Sequence, residues 1–156
     1  MQLTRHSDYA LRLLMRLAIE PRGLVTIQEV ASDYRISRNH LMKIALELGR
    51  EGFIETVRGR GGGLRLGRPA AEICIGAVVR TTEDSFALVE CFDAAHNRCV
   101  ITGACRLRGA LREALEAFVA VLDGYTLADL VARPDALWSS LRAPAPALPA
   151  GASQNP

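Results

Sequence analysis

The sequence predicts a mainly α-helical protein with a small β-hairpin wing, that is, a winged helix-turn-helix followed by a long dimerisation helix. Two short amphipathic patterns joined by a tight connection, a basic glycine-rich hairpin pattern and one long apolar helical stripe lead to this fold class. The predicted divisions are a winged-helix DNA-binding domain over 1–68, a thiol-rich loop with the dimerisation helix over 69–142, and a disordered tail over 143–156.

The first third of the chain predicts three helices. Residues 3–19 carry apolar side chains at helical spacing. The stretch TIQE is a capping box, which opens a second, short helix through about Tyr34. Ser37 can cap a third helix that ends near Gly52. Two short helices in this order, with polar residues at the start of the second, are typical of a helix-turn-helix.

A hairpin pattern follows these helices. Side chains alternate over 53–57 and again over 64–66, and the intervening RGRGGG is suited only to a turn. A helix-turn-helix followed by a basic hairpin is a winged helix.

The second half of the chain predicts a helix over 70–82, a loop over about 84–102 and a long helix from Cys105 to about Asp123. Four residues of the long helix form one apolar stripe: Leu111, Leu115, Phe118 and Leu122. Such a stripe needs a partner, so it predicts a homodimer. The stretch TLAD predicts one further short helix, which ends before Pro134.

Positive charge is concentrated in the first half. Residues 1–68 hold twelve Arg or Lys against seven Asp or Glu, a net charge of +5, whereas residues 69–156 hold seven against ten, a net charge of −3. The basic half is therefore the expected partner of double-stranded DNA. Three histidines and no clustered carboxylates offer little acid–base machinery, so we expect no enzyme activity.

The third helix and the hairpin turn carry the candidate DNA contacts. A helix in the major groove can pair Asn39 with adenine and Arg38 with guanine or phosphate. From the glycine-rich turn, arginine side chains can reach a minor groove. A solvated helix face is the alternative, but the basic hairpin favours DNA. The predicted set is Ser37, Arg38, Asn39, His40, Lys43, Arg58 and Arg60.

No membrane span or secretory signal is expected, because every apolar run is shorter than the roughly 18 to 20 residues of a spanning helix and the first is broken by charges. The expected location is the cytoplasm. Its reducing conditions keep cysteines available for metal.

Three cysteines, Cys91, Cys99 and Cys105, lie within fifteen residues and predict a metal centre. Zinc with His96 as fourth ligand, a thiol–disulfide switch and simple buried thiols are alternatives. The gaps of seven and five residues fit an iron–sulfur cluster better than a zinc site, and they leave one iron to a ligand that is not a thiol. Cys74 lies in the apolar stretch EICIGAVV and is expected in the core.

Taken together, these motifs resemble the NsrR-type repressors, which sense nitric oxide, in the wider group of winged-helix iron–sulfur regulators that includes IscR. The resemblance covers about residues 1–133 through MQLTRHSDYALRLL, SRNHLMKI, VRGRGGGLRLGRP, CVITGAC and YTLADLV. It implies a homodimeric repressor that binds an inverted-repeat operator, with nitric oxide as its signal.

The resemblance also implies a ligand set. The three cysteines would ligate the cluster, 4Fe-4S or else 2Fe-2S, and Asp8 would supply the fourth ligand across the dimer. Residue physics alone explains Asp8 equally well, as a charge favoured in the first turn of a helix. Arg12 lies one turn later and can pair with Asp8 when no cluster is present, which couples the cluster to the helix.

The chain departs from the wider group at two points. Arg108 stands where IscR-like members carry a histidine ligand, and the gap between Cys91 and Cys99 is longer than the family pattern. An alternative on the same fold is a redox or iron–sulfur-status regulator with a 2Fe-2S cluster. A remote alternative is an iron–sulfur electron carrier.

Overall fold

The computed structural model describes residues 2–20 and 22–143. Its regular elements confirm a mainly helical fold with one hairpin. In chain order they are α1 Arg5–Ala18, α2 Ile27–Tyr34, α3 Arg38–Arg50, β1 Ile54–Val57, β2 Gly63–Leu66, α4 Ile75–Thr82, α5 Arg106–Asp123, α6 Leu127–Leu130 and α7 Pro134–Arg142, with short 3-10 turns at Ala70–Glu72 and Glu90–Phe92.

Side-chain caps fix where the first helices begin. Thr4 precedes α1, and its hydroxyl accepts a hydrogen bond from the backbone N–H of Ser7. Thr26 and Glu29 form the predicted capping box at the start of α2. Ser37 occupies the cap position of α3, as predicted, but its side chain makes no capping hydrogen bond. The hydroxyl of Ser37 therefore has no capping role in α3.

The core lies where α1 crosses α3. Leu13 and Leu14 of α1 are fully buried, and α3 buries Leu41, Ile44, Ala45 and Leu48. Helix α1 also packs against α2, α4, the hairpin and α6. Because α1 contacts elements on both sides of residue 68, the division at 68/69 stays a prediction.

The wing is an antiparallel hairpin that pairs Ile54 with Leu66 and Val57 with Gly63. The turn between the strands needs glycine, since Gly59 has a φ of +107°. A Cβ atom at Gly62 would lie 2.2 Å from the carbonyl oxygen of Val57. The glycine-rich stretch is therefore a requirement of the tight turn and also brings its two arginines to the tip.

The predicted helix over 70–82 is broken in two. Residues 73 and 74 are extended because the backbone on either side of Cys74 pairs with the segment before α6. The N–H of Leu127 donates to the carbonyl of Ile73 at 2.8 Å, and the N–H of Ile75 donates to the carbonyl of Tyr125 at 2.9 Å. Cys74 sits at this break and is only half-buried, so the expectation that it lies in the core was wrong.

The second half contains the long helix and an unexpected one. Helix α5 follows Cys105 as predicted and packs against α4. The short helix predicted from TLAD is confirmed as α6, which ends at Leu130, but it is not the last helix, because α7 begins at Pro134. The predicted tail over 143–156 lies outside the described residues except for Ala143. No helix among the described residues is long and apolar enough to cross a membrane.

Candidate nucleic-acid interface and thiol loop

Helix α3 presents the predicted DNA-contacting residues on its free face. Ser37, Arg38, Asn39 and Lys43 are exposed, whereas His40 is half-buried. The opposite face of α3 is held in the core by apolar side chains. The first turn and a half of α3 can therefore approach a groove without any change in the core.

His40 lies against α1. The edge of its ring packs on the ring of Tyr9, with centroids 5.1 Å apart, and the ring of His6 lies at 5.8 Å. Burial first, and then the positive charges of His6, Lys43 and Arg5, lower the pKa of His40. At neutral pH the imidazole of His40 is therefore neutral, and it acts on DNA through hydrogen bonding or shape rather than charge.

The wing carries four arginines, two that contact neighbouring side chains and two that are exposed at the turn. Arg65 is paired with Glu55 across the strands at 2.7 Å, and the guanidinium of Arg68 lies 4.6 Å from the ring centroid of Phe53. Arg58 and Arg60 are exposed at the turn, and neither takes part in an ion pair within the described ranges. The two arginines at the tip are the ones available to phosphate or a minor groove.

The first turn of α1 holds Asp8 in the predicted pair with Arg12. The Nε of Arg12 donates to Oδ1 of Asp8 at 2.9 Å, and Nη2 lies 2.8 Å from Oδ2. Both side chains are 44% exposed, so the carboxylate is accessible from outside. The contact is a two-point ion pair that a competing ligand for Asp8 would have to break.

The same turn is fastened to the end of α4. The backbone N–H of Thr4 donates to Oε1 of Glu83 at 2.8 Å. Deeper in, the hydroxyl of Thr82 donates to the hydroxyl of Ser7 at 2.9 Å, and both residues are buried. Glu83 directly precedes residues 84–105, the thiol loop that carries the three clustered cysteines between α4 and α5. The helix that bears Asp8 is therefore anchored to the start of that loop. Sequence reasoning missed these contacts because the partners are 75 or more residues apart.

The three clustered cysteines are free and half-buried. Cys91 lies in the 3-10 turn, and the N–H of Cys99 donates to the side chain of Asn97 at 3.0 Å. Cys105 occupies the N-cap position of α5 without a side-chain capping hydrogen bond. His96 is engaged by Asp93, with 2.6 Å between Nδ1 and Oδ2, and this bond lowers the pKa of Asp93. The second ring nitrogen of His96, Nε2, makes no hydrogen bond within the described residues, so this contact leaves His96 available as an alternative metal ligand.

The thiol loop supplies the donors of an iron–sulfur cluster, although they do not converge. Within residues 2–20 and 22–143, no group of three or more His, Cys, Asp or Glu side chains is arranged to hold a metal ion. The donor chemistry nevertheless fits, because three free, half-buried thiols lie within fifteen residues and cysteine thiolates are the usual ligands of iron–sulfur clusters. Binding would require the loop to close.

Three comparisons with known proteins agree with this geometry. The structure resembles CymR, the global cysteine regulator of B. subtilis, with a TM-score of 0.70 at 23% identity, covering 85% of this chain and 97% of CymR. The T. potens IscR gives a TM-score of 0.69 at 23% identity, covering 87% of this chain and 88% of IscR. At these identities, the two structures show a shared fold.

Sequence similarity is stronger. The chain is 54% identical over 143 residues to the HTH-type transcriptional regulator NsrR of Geobacillus kaustophilus, which covers 91% of this chain and 97% of that protein. This confirms the predicted resemblance, and such relatives are named as transcriptional regulators rather than enzymes. The Rrf2 family, described as an iron-dependent transcriptional regulator, matches residues 3–133. The chain therefore belongs to the Rrf2 family of transcriptional regulators.

Proposed function

We propose that this regulator is a homodimeric repressor that senses nitric oxide through an iron–sulfur cluster. The observation that carries the proposal is the position of Asp8. Its helix is fastened at Thr4 to Glu83, at the entrance of the thiol loop, and packs against the recognition helix α3. A change in what binds Asp8 can therefore act on both the loop and the DNA-reading surface.

DNA reading follows from the exposed residues of α3 and the wing. Asn39 and Arg38 would read base edges in the major groove, and Lys43 would bind phosphate. Arg58 and Arg60 would reach the adjacent minor groove from the turn. A twofold-symmetric dimer presents two such surfaces, so the proposed operator is an inverted repeat in double-stranded DNA.

The proposed ligands are Cys91, Cys99 and Cys105, completed by Asp8 of the partner subunit. Three thiolates and one carboxylate supply the four ligands that either a 4Fe-4S or a 2Fe-2S cluster takes; we propose the 4Fe-4S cluster, in which the carboxylate would hold the fourth iron as a weaker oxygen ligand. When bound, the cluster would supply iron that reacts with nitric oxide. Once released, Asp8 returns to Arg12 of its own helix, the pairing that the chain already forms without a cluster.

The proposed dimer contact is α5. Its stripe residues are half-buried, and Leu107 and Val121 on the same helix are 64% and 61% exposed. Apolar side chains of this size on one long helix are typical of a surface that a second copy covers. Such a contact would also place the thiol loop of each subunit near the other subunit.

Paired cysteine variants test the ligand assignment. Cys99→Ala should yield colourless protein from anaerobic purification and weaken specific operator binding, because two thiols cannot hold the cluster. Cys74→Ala is the matched control, since Cys74 lies outside the loop with its thiol 3.6 Å from Oδ1 of Asp123, and it should stay brown. The measurements are the absorption spectrum and operator affinity.

Retention of the cluster by the Cys99 variant would move the ligand role to another residue, with His96 the first to test. A colourless Cys74 variant would contradict the assignment of the three loop thiols. Mössbauer spectra of the brown protein distinguish 4Fe-4S from 2Fe-2S.

A further inference from the structure

We infer that Tyr9 is a positioning residue that carries the state of the Asp8–Arg12 pair to His40 on the recognition helix. The inference rests on the proposed role of Asp8 as the ligand that changes partner. It assigns a function to a side chain that is neither a cluster ligand nor among the predicted DNA contacts. The path is a chain of direct contacts: Asp8 to Arg12, Arg12 to Tyr9, and Tyr9 to His40.

The first link is the guanidinium of Arg12, which two groups share. It donates to Asp8 through Nε at 2.9 Å, and its central carbon lies 5.9 Å from the centroid of the Tyr9 ring. A cation at this distance from an aromatic face is attracted to it. When Asp8 leaves Arg12, the ring of Tyr9 remains as a nearby partner, so the guanidinium is expected to move onto it.

The second link joins Tyr9 to the first turn of α3. The rings of Tyr9 and His40 meet edge to face, with 5.1 Å between centroids and an interplanar angle of 69°. On its other side His40 meets His6, whose Nε2 lies 2.5 Å from Oε2 of Glu47. His6 is thus tied to α3 itself, so the movable neighbour of His40 is Tyr9.

The proposed change moves side chains and leaves the axes of α1 and α3 in place. Beneath it, Leu13 and Leu41 are fully buried and hold α1 against α3. Tyr9 and His40 are half-buried at the edge of that core, where a ring can turn without creating a cavity. His40 directly follows Asn39, a candidate base-reading residue, so rotation of its ring alters the surface presented to the groove.

The test uses cluster-free protein and the imidazole resonances of His40, measured by ¹H–¹³C NMR at pH 8, where the lowered pKa of His40 keeps this imidazole neutral. The chain has only three histidines, so His40 is assigned by one substitution. Asp8→Asn, which weakens the hold on Arg12, should shift the His40 resonances. In a Tyr9→Leu background the same change should leave them in place, and Tyr9→Phe, which keeps the ring, should restore the response.

Glu55→Gln is the matched control, because it frees Arg65 from a comparable exposed ion pair on the wing and should not move His40. An unmoved His40 in the Asp8 variant, or an equal shift with leucine at position 9, would overturn the inference. If the leucine variant does not fold, the comparison passes to Arg12→Gln, which must abolish the response to Asp8→Asn. Colour and nitric oxide response of the wild-type protein test the proposed function separately, because the NMR readout needs neither.

Discussion

At the scale of single residues, a buried ion-pair network holds α1 to α2. Arg16 is only 2% exposed. It donates from Nε to Asp33 at 2.6 Å and from Nη1 to Glu20 at 3.0 Å. The central carbon of its guanidinium lies 4.2 Å from the centroid of the Trp138 ring. Glu20 also accepts from Arg22 at 2.8 Å. Buried charges need such partners, since one left alone is costly.

The network predicts how stability depends on pH. The hydrogen bond from Arg22, more than any other contact, lowers the pKa of Glu20 to about 2. Because this pKa is depressed, the stabilisation is complete above about pH 4.5 and is lost as the pH falls towards 2. Glu20→Gln should lower the free energy of unfolding at pH 7 by about 3 kcal/mol, with a smaller difference from wild type at pH 3.

Chemical denaturation at the two pH values measures this effect. Glu55→Gln, which breaks an exposed pair, is the control and should cost less than about 1 kcal/mol. The network would be contradicted if the two variants lost the same free energy of unfolding, or if the loss in Glu20→Gln did not depend on pH.

Local spacing predicted one of these residue contacts and missed the other. Asp8 and Arg12 lie four residues apart on a helix, so their pairing follows from helical geometry alone. Arg16 finds Asp33 seventeen residues later and Trp138 still farther along the chain. Nothing in the neighbourhood of Arg16 indicates that it is buried, because the burial depends on the packing of three helices.

At the scale of elements, α7 packs on the outside of the winged-helix half, against α2 and the end of α1. Trp138 donates from Nε1 to the carbonyl of Ile19 at 3.1 Å, which caps the C-terminal end of α1. The guanidinium of Arg142 lies 5.0 Å from the centroid of the same ring. The helix therefore covers the buried pairs of Arg16 and protects them from water.

Two substitutions at Trp138 should distinguish how much the ring and its hydrogen bond each contribute to the free energy of unfolding. Trp138→Phe keeps a ring and loses the bond to Ile19, for an expected loss of about 1 kcal/mol in the free energy of unfolding. Trp138→Ala removes both, for about 2 kcal/mol, since the side chain is only half-buried. Denaturation curves measure the losses, with the exposed Ser140→Ala as control. If all three variants unfold with the same free energy as the wild type, α7 does not stabilise the winged-helix half through Trp138.

Two elements show where sequence patterns mislead. The TLAD pattern predicts a last helix before Pro134, but proline is well tolerated in the first turn of a helix, and α7 begins with it. The apolar run over 70–82 has helical spacing, yet residues 73 and 74 are extended because the backbone around them pairs with 125–127. In the second case a distant backbone segment overrides local propensity. The capped helices α1 and α2 and the hairpin, whose signals are local, were predicted well.

At the scale of the whole molecule, the fold places α1 between the thiol loop and the candidate DNA-binding helix α3. Ser7 and Thr4 tie it to the end of α4, and its buried face holds α3. The sequence identified both candidate sites through local motifs, but it could not show that one helix touches both. The dimer and the closed thiol loop stay predictions, and they imply that the cluster of one subunit acts on the reading surface of the other.

The most direct test is operator affinity of the anaerobic protein during a stoichiometric titration with nitric oxide, with the absorption spectrum followed in the same sample. The operator is selected beforehand from random duplexes with the same protein. We expect brown protein that binds the inverted repeat and loses about tenfold or more in affinity as the colour bleaches, a coupling typical of allosteric regulators. Colourless protein that binds equally well and does not respond to nitric oxide would contradict the account.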